Sequence, residues 1–345
     1  MTPEHRMYRI ALALSRSPRR PGRPGRGAPV KLFDGLHKSV RALAREVKSA
    51  HQPRIDAPKP CRIGLALGGG FARGLAHVGI LKALEEEGII PDFIAGTSVG
   101  AVIGAAYCSG VSAKELEEIA AIVRFKDFAR YTISRFGLCT NDRMIGFLHR
   151  ILKVKTFEEL RIPLAVTATD FLTGEPIVFT QGDLIDPVRA SCAYPGVFLP
   201  VNVRGRLMVD GLLAHAVPAK PVKDMGADRV AAIFFGAHWV QKSPRHVLEV
   251  IGQCFSIAQA NMNCLWQAHA DLLIEPDVSA YAFDDFQKAL GIVKVGYEAG
   301  LKMLPTFRAW ATEREAYAQY ASAHTRFNED LGASTIVAHQ PVPLG

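Results

Sequence analysis

No run of this sequence is both long enough and apolar enough to cross a membrane. The densest apolar stretches, Ile89–Ile94 and Val99–Tyr107, are interrupted by Pro91, Gly96 and Gly100. A span needs roughly 18 unbroken apolar residues. Near the N-terminus, Ile10–Leu14 is too short for the apolar segment of a secretory signal and runs into Ser15 and Arg16. No apolar stretch follows Pro18-Arg19-Arg20-Pro21, which argues against a twin-arginine export signal. A cytoplasmic protein is the expectation. The cysteines are few and scattered singly (Cys61, Cys108, Cys139, Cys192, Cys254, Cys264), with no CxxC pair. Reduced, mostly buried thiols are expected, not a disulfide framework. No Cys/His group has zinc-ligand spacing and HExxH is absent, so neither metal nor other cofactor is expected.

What is present is a chain of 345 residues, 49% apolar and 21% charged, rich enough in apolar side chains to bury a core. Its formal charge of +8 is unevenly placed. Residues 1–60 hold 14 Lys/Arg against 4 Asp/Glu, leaving 27 against 29 for residues 61–345. The body is therefore close to neutral and a wholly basic nucleic-acid-binding domain is excluded; no nucleic-acid partner is expected. Within the basic leader, residues 17–29 are Pro, Gly and Arg with little to bury and are expected to be disordered. From Val30 to Ala50, Leu32, Leu36, Val40, Leu43 and Val47 line one helical face while Lys31, Lys38, Arg41, Arg45 and Lys48 fill much of the rest. Such a helix, over about residues 30–50, either docks on the main domain or lies on an anionic lipid surface, so that residues 1–50 would make peripheral contact with a membrane. Pro53, Pro58 and Pro60 mark a linker.

From Cys61 the pattern alternates apolar strands with helical stretches. Strands are expected at Arg62–Leu67, Phe93–Ala95, Leu164–Thr169, Ile177–Phe179, Leu207–Val209 and Val230–Phe235. Helices are expected from Leu75 to Gly88 and at Val99–Cys108, Pro244–His269 and Asp285–Leu304. This order implies an α/β domain of three layers with a largely parallel sheet over residues 61–331, its C-terminal part helical. Residues 332–345 are expected to form a disordered tail.

Three motifs carry chemistry. Gly96-Thr97-Ser98-Val99-Gly100 is a GxSxG between a strand and a helix, the signature of a nucleophile elbow that thrusts a serine hydroxyl out of a tight turn. The helix that follows favours negative charge developing at that oxygen. Upstream, Gly68-Gly69-Gly70-Phe71-Ala72-Arg73-Gly74 sits at another strand-to-helix junction. It fits neither a Walker loop nor a dinucleotide fingerprint, and it suits backbone donors to an oxyanion. Third, Leu207-Met208-Val209-Asp210-Gly211 places a carboxylate at the end of an apolar strand, where burial would raise its basicity.

Taken in order, GGGFARG, GTSVG and VDG resemble the patatin-like phospholipase family, and its bacterial branch related to neuropathy target esterase. LAHVGILKALEE after the glycines, ATDFLTGE at Ala168–Glu175 and SCAYPGVFLPV at Ser191–Val201 agree. The likeness is strong over roughly residues 61–240. It implies a patatin fold and a metal-free hydrolysis of lipid acyl esters through an acyl-serine intermediate. By that resemblance Ser98 is the nucleophile and Asp210 the base, Gly68, Gly69 and Gly70 form the oxyanion hole, and Arg73, Gly74, Gly96, Gly100 and Gly211 support them. Leu212 departs from the family pattern, where Gly or Ala stands two residues after the aspartate. The competing readings are a triad drawing on Asp170 or Asp210 with His215 or His238, and a lipid-binding protein on a retired hydrolase fold. His77, one turn from Arg73, is read as a packed histidine.

Overall fold

In the first strand, β1 (Ile63–Leu67), Ile63, Leu65 and Leu67 alternate with Gly64 and Ala66, and all five residues are buried. A strand with two apolar faces has to be covered on both. The computed structural model describes residues 59–132, 134, 136–236 and 247–336, and supplies that cover. The leader helix expected at about 30–50, the membrane contact expected of residues 1–50 and His238 all lie outside the described residues.

In chain order the elements begin with β1, a 3₁₀ turn at Phe71–Leu75, α1 (Ala76–Glu86), β2 (Phe93–Thr97), α2 (Val99–Cys108) and α3 (Ala113–Ile122). A short hairpin, β3 (Arg130–Tyr131) and β4 (Cys139–Thr140), precedes α4 (Arg143–Ile151). Then follow β5 (Leu164–Asp170), β6 (Pro176–Phe179), α5 (Ile185–Ser191), β7 (Val201–Val203) and β8 (Arg206–Asp210). The chain continues with α6 (Ala219–Asp224), β9 (Arg229–Ile233), α7 (Val247–Gln267), β10 (Leu272–Ile274) and α8 (Ala289–Ile336). Eight strands form one sheet in the order β10-β9-β1-β2-β5-β8-β7, with β6 also paired to β5. Pairing is parallel from β10 through β5 and antiparallel beyond it.

The two faces differ in kind. Ile63, Leu65, Leu67 and Ile94 join the main core with residues of α1, α2, α3 and α8. Ala66, Ala95, Ala165 and Ala232 face the other way, against Ala219 and Val222 of α6 and Trp266 of α7. Small residues on that second face let α6 come close: a Cβ on Gly64 would run into Val222 Cγ1. The three-layer α/β/α expectation is met, with a sheet parallel on one side only.

Four strands escaped the sequence reading: β3, β4, β7 and β10 have only two or three residues each, too few for alternation to register. The C-terminal helix corrects a boundary. The helix expected over Asp285–Leu304 continues as α8 through Pro305 to Ile336, beyond Gly332 where the tail is expected to begin. A proline inside a helix costs about 3 kcal/mol, and Leu304, Phe307 and Trp310, all buried, offset that cost on either side of it. Residues 337–345 lie outside the described residues.

Helices α1 and α8 touch backbone to backbone. A Cβ on Gly79 would meet Val293 O and Tyr297 N, and one on Gly296 would meet Ala76 O. Gly79→Val is therefore expected to destabilise the domain by about 1–3 kcal/mol or more, read as a lower Tm in thermal unfolding. An unchanged Tm would show that the helices can separate freely.

Candidate active site

The register along β5 decides which residues meet. β6 pairs with residues 166–169 of β5. β2 pairs with residues 164–167 and β8 with residues 168–170. Since residue 167 cannot share one edge with two partners, nor can 168, β2 and β8 both lie on the edge opposite β6. They approach along it from opposite directions, β2 ending at Thr97 opposite Thr167 and β8 ending at Asp210 opposite Ala168. Ser98 and Asp210 are thereby brought end to end. Side chains lock the junction: the Thr97 hydroxyl donates to His215 O (2.7 Å), so the Thr167 hydroxyl donates to Thr97 Oγ1 (2.7 Å). The Thr169 hydroxyl donates to Asp210 O (3.0 Å). Gly211 passes so close to β5 that a Cβ on it would lie 2.5 Å from Thr167 O.

Ser98 has φ 55° and ψ −123°, a left-handed geometry for a residue that carries a side chain. Such strain costs of order 1–3 kcal/mol and persists only where the surroundings impose it. The flanking glycines do so here. A Cβ on Gly96 would lie 2.6 Å from Ala101 N, and one on Gly100 would collide with Leu67 O. The Ser98 N–H donates to Ser191 Oγ (2.8 Å), while Ser98 O accepts from Ala101 N (2.8 Å) and Val102 N (3.2 Å) to start α2. Val99, next in line, fills the space left by Gly74, where a Cβ would strike Val99 Cγ1.

Asp210 is completely buried. Its Oδ1 accepts from Leu212 N (2.9 Å), and its Oδ2 has no hydrogen-bond partner among the described residues. Burial lifts its carboxyl to a pKa of about 7, against smaller downward pulls from the Leu212 N–H and the Ser98 hydroxyl. The serine is thus near the carboxyl without closing a hydrogen bond to Oδ2.

The glycine loop departs from expectation in one respect. Gly68 N–H donates to Ile233 O (3.0 Å) and Gly69 N–H to Ala216 O (3.1 Å), so two of the three expected donors are engaged in holding the loop. Only Gly70 among them has no backbone carbonyl partner among the described residues. Gly69 nonetheless backs on the serine, since a Cβ there would sit 3.5 Å from Ser98 Cβ. Beneath the loop His77 is fully buried, and burial lowers its pKa to about 4. Neutral at ordinary pH, it donates Nε2–H to Gly68 O (2.8 Å), a packed histidine as read from sequence. Arg73 donates Nε–H to Tyr281 O (2.9 Å) and Ala72 N–H to Phe283 O (3.1 Å), tying the loop to the segment before α8.

Two cavities meet at Ser98. One, about 90 Å³, is walled almost entirely by apolar side chains, among them Val102 of α2, Ile119 of α3, Val123 just beyond it and Phe147 of α4. The other, about 130 Å³, is lined by Arg73 and Leu212 and by Ser256, Gln259 and Asn263 from α7. Phe71, Ser98 and Tyr194 line both. Leu212 therefore forms part of the wall of the second cavity while its N–H holds Asp210.

Among the described residues no histidine triad assembles; His238 lies outside them. Asp170 is held by Arg206 (2.7 Å) and by the N–H groups of Leu172 and Thr173, which keep its pKa near about 2. Among the described residues, no histidine lines either cavity. Ser191, Cys192 and Tyr194, by contrast, belong to the site and carried no chemical signal in sequence beyond their place in the SCAYPG block. The polar inner face of α7 was equally silent.

Residues 65–223 match the model of the patatin-like phospholipase family, and the domain they lie in has the patatin fold. It is 35% identical over 189 residues to an uncharacterized NTE family protein of Mycobacterium tuberculosis, covering 52% of this chain and 51% of that one. It is 34% identical over 225 residues to human patatin-like phospholipase domain-containing protein 6, covering 61% of this chain and 16% of that one. The chain thus spans about half the length of the mycobacterial relative. The crystal structure of VipD from Legionella pneumophila superposes with a TM-score of 0.49 at 16% identity, over 72% of this chain and 67% of that one.

The raised pKa of Asp210 has a consequence for stability. The folded protein keeps this proton up to a pH of about 7, whereas the unfolded chain releases it near about 3.9. Between those values the native state binds the extra proton, so rising pH costs up to about 1.4 kcal/mol per unit and the loss levels off above 7. Asp210→Asn escapes this loss. Its stability relative to wild type should rise from pH 4 to 7 in paired thermal melts; a gap independent of pH would contradict the buried, proton-holding carboxyl.

Proposed function

We propose that the protein is a serine hydrolase of lipid acyl esters, with Ser98 as nucleophile and Asp210 as general base. The observation that carries this reading is a buried carboxyl with one open oxygen beside a strained serine, at the meeting point of an apolar and a polar cavity. The family match supports a lipid hydrolase at the level of reaction class.

The chemistry follows from the parts. The Ser98 hydroxyl attacks the ester carbonyl, and Asp210 Oδ2 takes its proton as the new C–O bond forms. A carboxylate with a pKa of about 7 accepts a proton far more readily than a solvated one, which suits general-base work near neutrality. Negative charge then collects on the former carbonyl oxygen. Among the described residues, the donors free to receive it are the Gly70 N–H and the unpaired first-turn N–H groups of α2, the Val99 N–H foremost. The alcohol leaves with the proton from Asp210. Water, deprotonated by the same carboxylate, attacks the acyl carbonyl, and Asp210 returns the proton to Ser98 Oγ as the acid leaves.

The cavities support a substrate class. An acyl chain fits the apolar cavity by hydrophobic burial, and the glycerol end with its polar head occupies the cavity of Arg73, Gln259 and Asn263. One narrow apolar cavity favours esters presenting a single chain to the site.

Ser98→Ala is expected to abolish hydrolysis of medium-chain p-nitrophenyl esters and of lipids in a lipidomic incubation. Asp210→Asn should lower kcat by at least about 10²–10⁴ with its fold intact. For wild type, kcat/KM should rise with pH through an apparent pKa of about 7, because the ionised carboxylate is the active form. Full activity in Ser98→Ala would refute the assignment of the nucleophile, and absence of hydrolysis by the wild type would favour a lipid-binding role.

A further inference from the structure

One surface of the domain is not accounted for by this chemistry. Around the β3–β4 hairpin the chain exposes large side chains: Tyr131 is 81% exposed, Phe136 64% and Ile122, at the end of α3, 74%. Leu138 is exposed beside them. At the base of the hairpin, Arg124, Lys126, Arg130 and Arg143 line one open groove together with Tyr131, and among the described residues no acidic one lines it. The two carboxylates nearest in sequence are turned to structural work. Asp127 accepts from Arg124 N (2.8 Å), and Asp142 is shared between Arg130 (3.4 Å) and Arg189 (3.2 Å). In a body whose charge is close to neutral, this is a local concentration of positive charge ringed by exposed aromatic and aliphatic groups.

Its position relative to the site is informative. Val123, Phe128 and Met144, which wall the apolar cavity, are chain neighbours of the groove residues Arg124, Ala129 and Arg143. The apolar cavity thus adjoins this surface through neighbouring residues, and at Ser98 it meets the polar cavity. A phospholipid read outward from the middle of a bilayer presents its parts in the matching order: tail, ester, head group. A lipid drawn up from a membrane on the hairpin side would enter with its chain trailing towards the bilayer and its ester at Ser98.

We propose that the hairpin and the basic groove beneath it form the docking surface by which this domain sits on an anionic phospholipid bilayer, with Tyr131 and Phe136 entering the head-group layer and the groove cations meeting lipid phosphates. Aromatic side chains favour the bilayer interface, and each Lys or Arg near an anionic surface strengthens binding about fivefold at physiological salt. The orientation of the incoming lipid rests on the reaction proposed at Ser98; the docking itself does not.

The test uses the 345-residue chain carrying Ser98→Ala, so that binding is read without hydrolysis and the basic leader is present throughout. Vesicles of phosphatidylcholine alone and of phosphatidylcholine with phosphatidylglycerol are compared by flotation. Lys126→Ala with Arg130→Ala should weaken binding to the anionic vesicles about fivefold for each charge removed and leave the neutral ones unaffected. Tyr131→Ser with Phe136→Ser should weaken binding to both. On the Ser98 background the latter pair should slow turnover of vesicle lipid while leaving turnover of a soluble p-nitrophenyl ester unchanged. Flotation unaltered by both pairs, as expected if the leader alone binds lipid or if the hairpin meets a protein partner, would overturn the proposal even where the hydrolase reading stands.

Discussion

Everything at the centre of this molecule depends on two strands sharing one edge of β5. Because β6 occupies the other edge, β2 and β8 meet tip to tip, and residues more than a hundred positions apart become neighbours. The hydroxyls of Thr97, Thr167 and Thr169 consume the polar groups left where the two ladders end. Were the β5–β8 pairing to slip by one residue, Asp210 would turn to the opposite face of the sheet. The elbow at Ser98 and the buried carboxyl are consequences of that register as much as of their own sequence.

The second requirement is closeness of backbone. Gly96, Gly100, Gly74 and Gly211 each occupy a place where a methyl group would strike a neighbouring atom, so the loops around the serine are stacked more tightly than side chains would permit. Such packing transmits position faithfully. The glycine loop is held from below by His77 and from the side by Arg73, the latter reaching the segment that leads into α8. In this way the long C-terminal helix, remote from the chemistry, helps fix the loop that faces Ser98.

Much of this was legible in the sequence. β1, β2, β5 and β8 stood out as apolar runs, and GxSxG, the glycine run and the VDG turn each sat at a strand end, where protruding side chains collect. What was not legible has physical reasons. Strands β7 and β10 are too short to show a period, and α8 overrides Pro305 because burial of Leu304, Phe307 and Trp310 outweighs a lost hydrogen bond. A glycine run reveals that backbone donors are unobstructed but not where they point: Gly68 and Gly69 spend theirs on Ile233 and Ala216. The polar cavity is formed by residues of α7 brought over from far along the chain, and Ser191 matters only because folding places its hydroxyl against the Ser98 N–H. Neither depends on a local pattern.

The central claim is that Ser98 itself carries the acyl group between two half-reactions driven by Asp210. Acid quenching of wild-type protein during turnover of a medium-chain ester, followed by intact-mass and peptide mass spectrometry, reads that directly. The account predicts a mass increase equal to the acyl group, confined to the peptide containing Ser98 and absent from Asp210→Asn quenched at the same time. Turnover with no acylated peptide at any quench time, or an acyl group located on another residue, would contradict it.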